Sequence, residues 1–299
     1  MRAVVIESPS RPIERAWTMA DLAELVKARL TLLVLVTTAV GFYLGWTGPF
    51  NFLPLFHAVV GTALAAASAA ALNQWREYPF DSIMLRTRMR PIPAGRMSPR
   101  DGLLIGIFLG ITGLVYLCVA VNLLSALLAA LTIGLYIFAY TPLKRISTTN
   151  TLVGAIPGAI PPMIGWAAAR GTVDAEAWSL FVILFAWQMP HFFSLSWMYR
   201  ADYARAGFCM MSSDDEAGLR SSSQSVLFCI LLLIVACIPA YLGLTKVAYL
   251  PIALALSGWF VVMAMRFHNL REPVRARSLF LTSIAYLPLL LGALVLTKA

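Results

Sequence analysis

Asn73, Glu77 and Asp81 stand four residues apart at the end of an apolar run. On a helix, an i, i+4, i+8 series projects from roughly one face. Two carboxylates and an amide facing one way supply the oxygen ligands of a hard divalent cation. Arg86, Arg88, Arg90 and Arg96 follow at once. Guanidinium forks match phosphate oxygens two at a time. Arg86 and Arg90, spaced by four and nearest the carboxylates, are the better candidates for that work. A divalent metal and arginines at a membrane edge point to a diphosphate substrate with a greasy tail. Pro79 is expected to disturb the helical face, since it lacks a backbone donor and disfavours the α conformation at Tyr78. Glu77 is then on the last regular turn and Asp81 just past a kink.

Other chemistry-bearing residues are scattered along the chain. Lys144 and Arg145 close the short segment Tyr140-Thr141-Pro142-Leu143 and can complete a cationic rim around a diphosphate. His191 lies in an apolar run beside Trp187, Phe192 and Phe193. It could orient or ligate a macrocycle, hold a second metal, or be a hydrogen-bonded core residue. Asp202 is a candidate ligand for a second metal. Asp214, Asp215 and Glu216 read as a solvated loop tip, and His57 and His268 as residues remote from the carboxylates. Pro157, Pro161 and Pro162, with Gly154, Gly158 and Gly165, predict a kinked or broken helix packed closely on its neighbours. No P-loop, nucleotide-binding glycine fingerprint or hydrolase serine motif is present.

The elements that must position these residues are membrane helices. The 299 residues are 60% hydrophobic and 12% charged, with a mean hydropathy of +0.79, about half the charged fraction of a soluble chain. Nine apolar runs, roughly 29–47, 52–73, 102–121, 124–141, 150–169, 177–197, 222–243, 248–266 and 278–297, reach or approach the ~20 residues that span a bilayer. The expected fold is all-α: a nine-helix transmembrane bundle formed by residues 29–299 as one domain, behind a polar arm, 1–28. The tight gap at Asn122 and Leu123 must be a hairpin. The loops after the second and sixth runs both place an arginine near an aspartate, a weak hint of two equivalent halves.

Charge gives the orientation. Of 23 Lys and Arg, all but Arg170, Lys246 and Lys298 fall on the N-terminal side of the alternation. The positive-inside rule puts that side, with the N-terminus, in the cytoplasm and the C-terminus outside. Twelve of the 14 acidic residues lie there too, which suggests that the chemistry faces the cytoplasm. The net charge of +9 reflects topology rather than nucleic-acid binding. Cys118, Cys209, Cys229 and Cys237 lack metal-site spacing and read as small hydrophobes. The first 28 residues lack a signal-peptide core and are too acidic for an organelle transit peptide; a bacterial inner membrane is the simplest home.

At these residues the chain resembles the protoheme IX farnesyltransferases, within the intramembrane polyprenyl transferases. The pattern N-x-x-x-E-x-x-x-D-x-x-M-x-R-T-x-x-R-P runs from Asn73 to Pro91. Y-T-P-x-K-R stands at Tyr140 to Arg145, N-T-x-V-G-A-I-P-G-A at Asn150 to Ala159, W-Q-M-P-H-F at Trp187 to Phe192, and D-Y-x-x-A-G at Asp202 to Gly207. The likeness covers residue 22 to the end. It implies a nine-helix bundle with an acidic cavity open to the cytoplasm, and Mg2+ held by Asn73, Glu77 and Asp81, with Asp202 toward a second ion. Arg86, Arg90, Lys144 and Arg145 would neutralise the diphosphate of farnesyl diphosphate, and His191 would meet the acceptor, heme B. It further implies heme-handling or terminal-oxidase assembly partners. Three departures are visible. Other members carry several aspartates in the second motif, where this chain offers Asp202, with His191 upstream. Glu77 stands where the wider superfamily commonly has aspartate, and Lys27-Ala28-Arg29 where the family reads K-P-R, which is expected to soften the start of the first helix. Two other readings stay open on the residues alone: a prenyltransferase for another acceptor, such as a quinone precursor, and a cation-coupled transporter.

Overall fold

A computed structural model describes residues 16–299. With no water in hydrocarbon to satisfy backbone groups, long apolar runs close their hydrogen bonds internally as helices. Among the described residues, nine helices are long and apolar enough to cross a membrane. They are α2 (Ala28–Gly45), α3 (Phe52–Asp81), α4 (Pro99–Ala120), α5 (Leu123–Leu143), α6 (Asn150–Arg170), α7 (Ala175–Met198), α9 (Leu219–Tyr241), α10 (Tyr249–Leu270) and α11 (Pro273–Leu296). Two short helices, α1 (Met19–Leu25) and α8 (Arg200–Arg205), complete the set. The described residues contain no strand, only a single bridge between Thr245 and Lys298. The all-α, nine-span expectation holds, with run boundaries close to those read from hydropathy. Large apolar side chains such as Leu30, Phe52, Phe108 and Phe138 point outward, as a lipid-facing surface requires.

The part of the expected polar arm that the structure describes is ordered against the bundle. Residues 1–15 lie outside the described residues. Beyond them, Thr18 and Asp21 form a reciprocal capping box that starts α1. Leu25 then packs with Ala71, Ile92 and Met97, and Arg96 bonds Asp21. That pair helps hold Asp21 down to about pKa 2, after its bonds from the Thr18 backbone and hydroxyl. α1 is thereby strapped under the end of α3 and the loop that follows.

Small residues set the helix spacing. Gly106, Gly110 and Gly113 present a bare face of α4 to α3, while Gly102 faces Ile92 and Leu25, and Ser68 Oγ donates to the Gly106 carbonyl at 2.7 Å. α6 is broken at Ile160, between Pro157 and the Pro161-Pro162 pair, as the prolines predict. The Asn122 hairpin is also as expected: its side chain accepts from Ser125 N and donates to the Ala167 carbonyl. Two features have no sequence forecast. α5 relaxes into a π turn over Leu135–Tyr140. α3, with 30 residues, is about 45 Å long at 1.5 Å per residue. That exceeds a ~30 Å hydrocarbon core, so its last turns project beyond it at the end that carries the basic loops.

Candidate active site

Asn73, Glu77 and Asp81 occupy one face of α3, and all three are buried. The kink expected at Pro79 does not end the helix, which runs through it to Asp81. Proline forfeits one bond there, and tertiary contacts supply others. Ser82 N bonds the Tyr78 carbonyl, Thr87 Oγ1 donates to the Asp81 carbonyl at 3.1 Å, and Phe80 packs edge-on to Phe208.

Each of the three residues meets one cation. Lys27 Nζ donates to Asn73 Oδ1 at 2.9 Å. Lys144 Nζ donates to Glu77 Oε1 at 2.7 Å. Arg90 donates to Asp81 Oδ2 at 2.6 Å. With Lys27 protonated, three cations stand against two carboxylates, a balance that suits an added anion. Asn73 is fixed from the other side as well. Its Nδ2 donates to Thr141 Oγ1, which donates in turn to the Tyr136 carbonyl. That carbonyl belongs to the π turn, a device often found at functional sites.

The two lysines differ electrically. Burial alone would push the Lys144 ammonium down, but Glu77 and the neighbouring tyrosines hold it above its ordinary range. Burial, then the adjacent Arg90, pull Lys27 down to about 7. An anion arriving beside Lys27 would draw a proton onto it. Lys27 was not anticipated as a site residue. It adopts a left-handed conformation, φ 49°, in the turn between α1 and α2. Gln74 Nε2 caps the end of α1 by donating to the Glu24 and Leu25 carbonyls, just ahead of the start of α2 at Ala28.

Arginines form the rim. Arg145 stacks over Phe80 at 4.2 Å. Arg86 lies over Tyr199 and Tyr203 and donates to Tyr203 Oη at 3.0 Å. A cavity of about 460 Å³ opens beside Glu77, lined by Arg76, Phe80, Thr141, Arg145 and Phe208. A second cavity, about 360 Å³ between Trp46, Trp166 and Lys298, lies at the opposite end and contains none of the candidate residues.

Two anticipated site residues are placed apart from the trio. Asp202 comes to the same end of the bundle, but its oxygens accept from the Leu85 and Arg86 backbone N–H groups and from Arg205. It clamps the arginine loop rather than facing Asn73. His191 sits inside the bundle between α7 and α11, with Nδ1 2.7 Å from Ser283 Oγ. Arg96 is engaged by Asp21 and Glu24. Asp215 caps α9 by accepting from Arg220 N and Ser221 N. His57 pairs with Tyr116 and His268 with Ser222, both away from the carboxylates.

Among the described residues, no three His, Cys, Asp or Glu side chains cluster as a metal site. The oxygen set is Asn73, Glu77 and Asp81. That suits Mg2+, which binds through one or two carboxylates and takes the rest of its shell from water and substrate phosphate.

Residues 34–288 match the sequence model of the UbiA prenyltransferase family. The chain is 44% identical over 289 residues to a protoheme IX farnesyltransferase of Solibacter usitatus, covering 94% of this chain and 99% of that one. It is 42% identical over 277 residues to the mitochondrial protoheme IX farnesyltransferase of Homo sapiens, covering 93% of this chain and 62% of that one. Among solved structures, digeranylgeranylglyceryl phosphate synthase superposes with a TM-score of 0.78 at 12% identity, covering 93% of this chain and 98% of that one. A UbiA homolog from Archaeoglobus fulgidus bound to DMAPP and Mg2+ gives 0.69 at 16%, covering 92% and 99%. The structural likenesses speak for the fold, and the sequence match reaches across the site described above. This multi-pass membrane protein is an enzyme that belongs to the UbiA prenyltransferase family.

Proposed function

We propose that this enzyme transfers the farnesyl group of farnesyl diphosphate to a vinyl group of heme B, giving heme O. The observation that carries the acceptor is identity above 40% to protoheme IX farnesyltransferases along nearly the whole chain. Family membership removes the ion-transporter reading. The charge bias of the loops supports a site that faces the cytoplasm. Residues 29–299 then act as one catalytic domain.

The chemistry follows from charge. The bond between farnesyl C1 and oxygen breaks, and its electron pair leaves on the diphosphate. Mg2+ held at Asn73, Glu77 and Asp81 would supply neutralisation of that leaving group, worth several kcal/mol of barrier. Lys27, Lys144 and Arg90 already stand within hydrogen-bond distance of the same three side chains. They can turn their N–H groups to phosphate oxygens as the substrate enters, with Arg86 and Arg145 closing the rim. Asp202 keeps the Leu85–Arg86 backbone in place for this. The apolar bundle receives the tail and keeps water from the allylic cation. The vinyl π pair forms the new bond to C1. Water adds to the resulting cation beside the macrocycle and loses a proton, leaving the hydroxyethylfarnesyl group.

The test is turnover by the purified full chain with heme B, farnesyl diphosphate and Mg2+, read by mass spectrometry. Farnesylated, hydrated heme is the expected product. A folded wild type that yields none, but prenylates a quinone precursor, would move the acceptor. Lys27→Met isolates the unforeseen lysine. A contact kept in both ground and transition states changes KM more than kcat. The expected result is a KM for farnesyl diphosphate raised about tenfold, one charge-assisted hydrogen bond, with kcat nearly unchanged. An unchanged KM would remove Lys27 from the diphosphate site.

A further inference from the structure

Charge is scarce at the end of the bundle opposite Asn73, Glu77 and Asp81. Among the described residues, its only Lys and Arg are Arg170, Lys246 and Lys298, and its only acidic side chains are Asp174 and Glu176. Arg170, Lys298 and Glu176 all line one cavity of about 360 Å³ there. Its walls come from the ends of α2, α6, α7, α9 and α11 or the turns beside them.

These charges are held in place without neutralising one another. Trp166 Nε1 donates to Asp174 Oδ2 at 3.2 Å, and Thr172 Oγ1 donates to the same oxygen. Asp174 is thereby committed, and the fixed indole carries the Arg170 guanidinium 5.4 Å from its ring centre. Lys298 Nζ donates to the Tyr43 and Trp46 carbonyls at 2.7 and 2.6 Å. Those bonds cap the end of α2 and use two of the three ammonium donors, which leaves one N–H for a ligand. Burial, then the charge of Arg170, hold the Lys298 ammonium below its ordinary range. The two cations therefore repel each other, and among the described residues neither forms an ion pair. Glu176 is half-buried and equally unpaired. Capping of α2 explains Lys298. It does not explain an arginine and a glutamate, both unpaired, around the same space. Apolar surface adjoins the cavity. Tyr241 and Leu296, the last residues of α9 and α11, are 91% and 86% exposed and lead into the lining residues Leu242 and Lys298. Trp46 adds an indole of the kind that sits at a bilayer interface.

We infer that this cavity binds the headgroup of a phosphatidylethanolamine from the adjoining leaflet, with the phosphate on Arg170 and Lys298 and the ammonium on Glu176. A guanidinium takes phosphate oxygens two at a time, and the remaining Lys298 N–H adds a third bond. A primary ammonium offers three donors to a carboxylate. A choline headgroup offers none, and a glycerol headgroup has no positive charge to place beside Glu176. The exposed apolar surface receives the acyl chains, which a water-soluble anion would leave uncovered. Bound there, the headgroup ties together the ends of five helices. One of them is α2, whose other end starts at Lys27.

The experiment is a lipid titration of the delipidated full-length protein in detergent, read by native mass spectrometry and thermal unfolding. The probes are palmitoyl-oleoyl phosphatidylethanolamine, phosphatidylcholine and phosphatidylglycerol. The ethanolamine lipid should bind tightest and raise the melting temperature most. Arg170→Met keeps an apolar stem on Trp166 and should lower that affinity about tenfold or more, the loss of a charge-assisted hydrogen bond. Glu176→Gln should erase the preference for the ethanolamine over the glycerol headgroup. That preference is a ratio within one variant, so it reads the pairing even where the variant is less stable. Lys246→Ala removes a cation from the same end but outside the cavity, and should change neither affinity nor preference. Equal losses in Arg170→Met and Lys246→Ala would reduce the effect to diffuse surface charge and overturn the site. A preference that survives Glu176→Gln overturns the ammonium pairing. Protection by phosphoethanolamine alone, equal to that by the lipid, would make this a site for a water-soluble ligand and overturn the lipid assignment.

Discussion

Glu77→Gln should lower farnesyl transfer by about 10^2–10^3-fold, the loss typical of removing one preorganised electrostatic group from a reacting centre, while the protein still folds. Glutamine keeps the shape of Glu77 and an oxygen that can accept from Lys144, so packing around this buried side chain is preserved. What disappears is a negative charge. The hard-cation oxygen set falls from two carboxylates to one, Asp81, which Arg90 already pairs. Lys144 also loses its counter-charge in a buried position. Breaking a buried pair from one side costs up to ~3–5 kcal/mol, and the amide oxygen recovers part of that. Thermal stability should therefore fall measurably in the single variant. The double variant Glu77→Gln, Lys144→Met separates the two effects, since it removes both charges. Stability should return and turnover should not. Full turnover in the folded double variant, with its ordinary dependence on Mg2+, would mean that the diphosphate departs somewhere else.

The same residues show how far sequence carries such a site. The i, i+4, i+8 spacing of Asn73, Glu77 and Asp81 is local information, and it survived intact. The regular helix was expected to end at Glu77 but runs on to Asp81, because proline's local penalty was weighed without the contacts that oppose it: Arg90 on Asp81, Thr87 on the Asp81 carbonyl and Phe208 on Phe80. Lys27 was invisible as a site residue for the converse reason. Its role depends on a left-handed turn braced by Gln74, 47 positions further on, and no spacing rule links those positions. Asp202 illustrates a degeneracy. An aspartate near arginines reads the same whether it holds a metal or two backbone N–H groups. The nine spans were legible because a bilayer imposes one length and one polarity on every helix. The π turn at Leu135–Tyr140 was not, since a shift from i→i+4 to i→i+5 bonding changes no composition.

Gly165→Ala should prevent stable folding, although it adds one methyl group far from any charge. A Cβ on Gly165 would stand 1.9 Å from the Thr38 carbonyl oxygen and 2.7 Å from Phe42 N. Across the same contact, a Cβ on Gly41 would stand 2.0 Å from the Pro162 carbonyl oxygen. Glycines on both helices therefore let the backbones of α2 and α6 touch. The obstacle is main chain on both sides, so no rotamer can relieve it, and the helices must separate by about an ångström or more. Overpacking against side chains typically costs 1–3 kcal/mol, and rigid surroundings raise that. Here the separation would also unseat Phe42, Leu44 and Trp166, all fully buried. It would carry the start of α2, and with it Lys27, away from Asn73. Gly292→Ala is the matched control, because nothing lies within 4 Å of a Cβ there. On a helix that substitution should be neutral or stabilise by about 0.5–1 kcal/mol. Thermal unfolding of both in the same detergent decides the point. Equal melting temperatures would mean that α2 and α6 do not meet through their glycines, and that the brace holding Lys27 under α3 is anchored elsewhere.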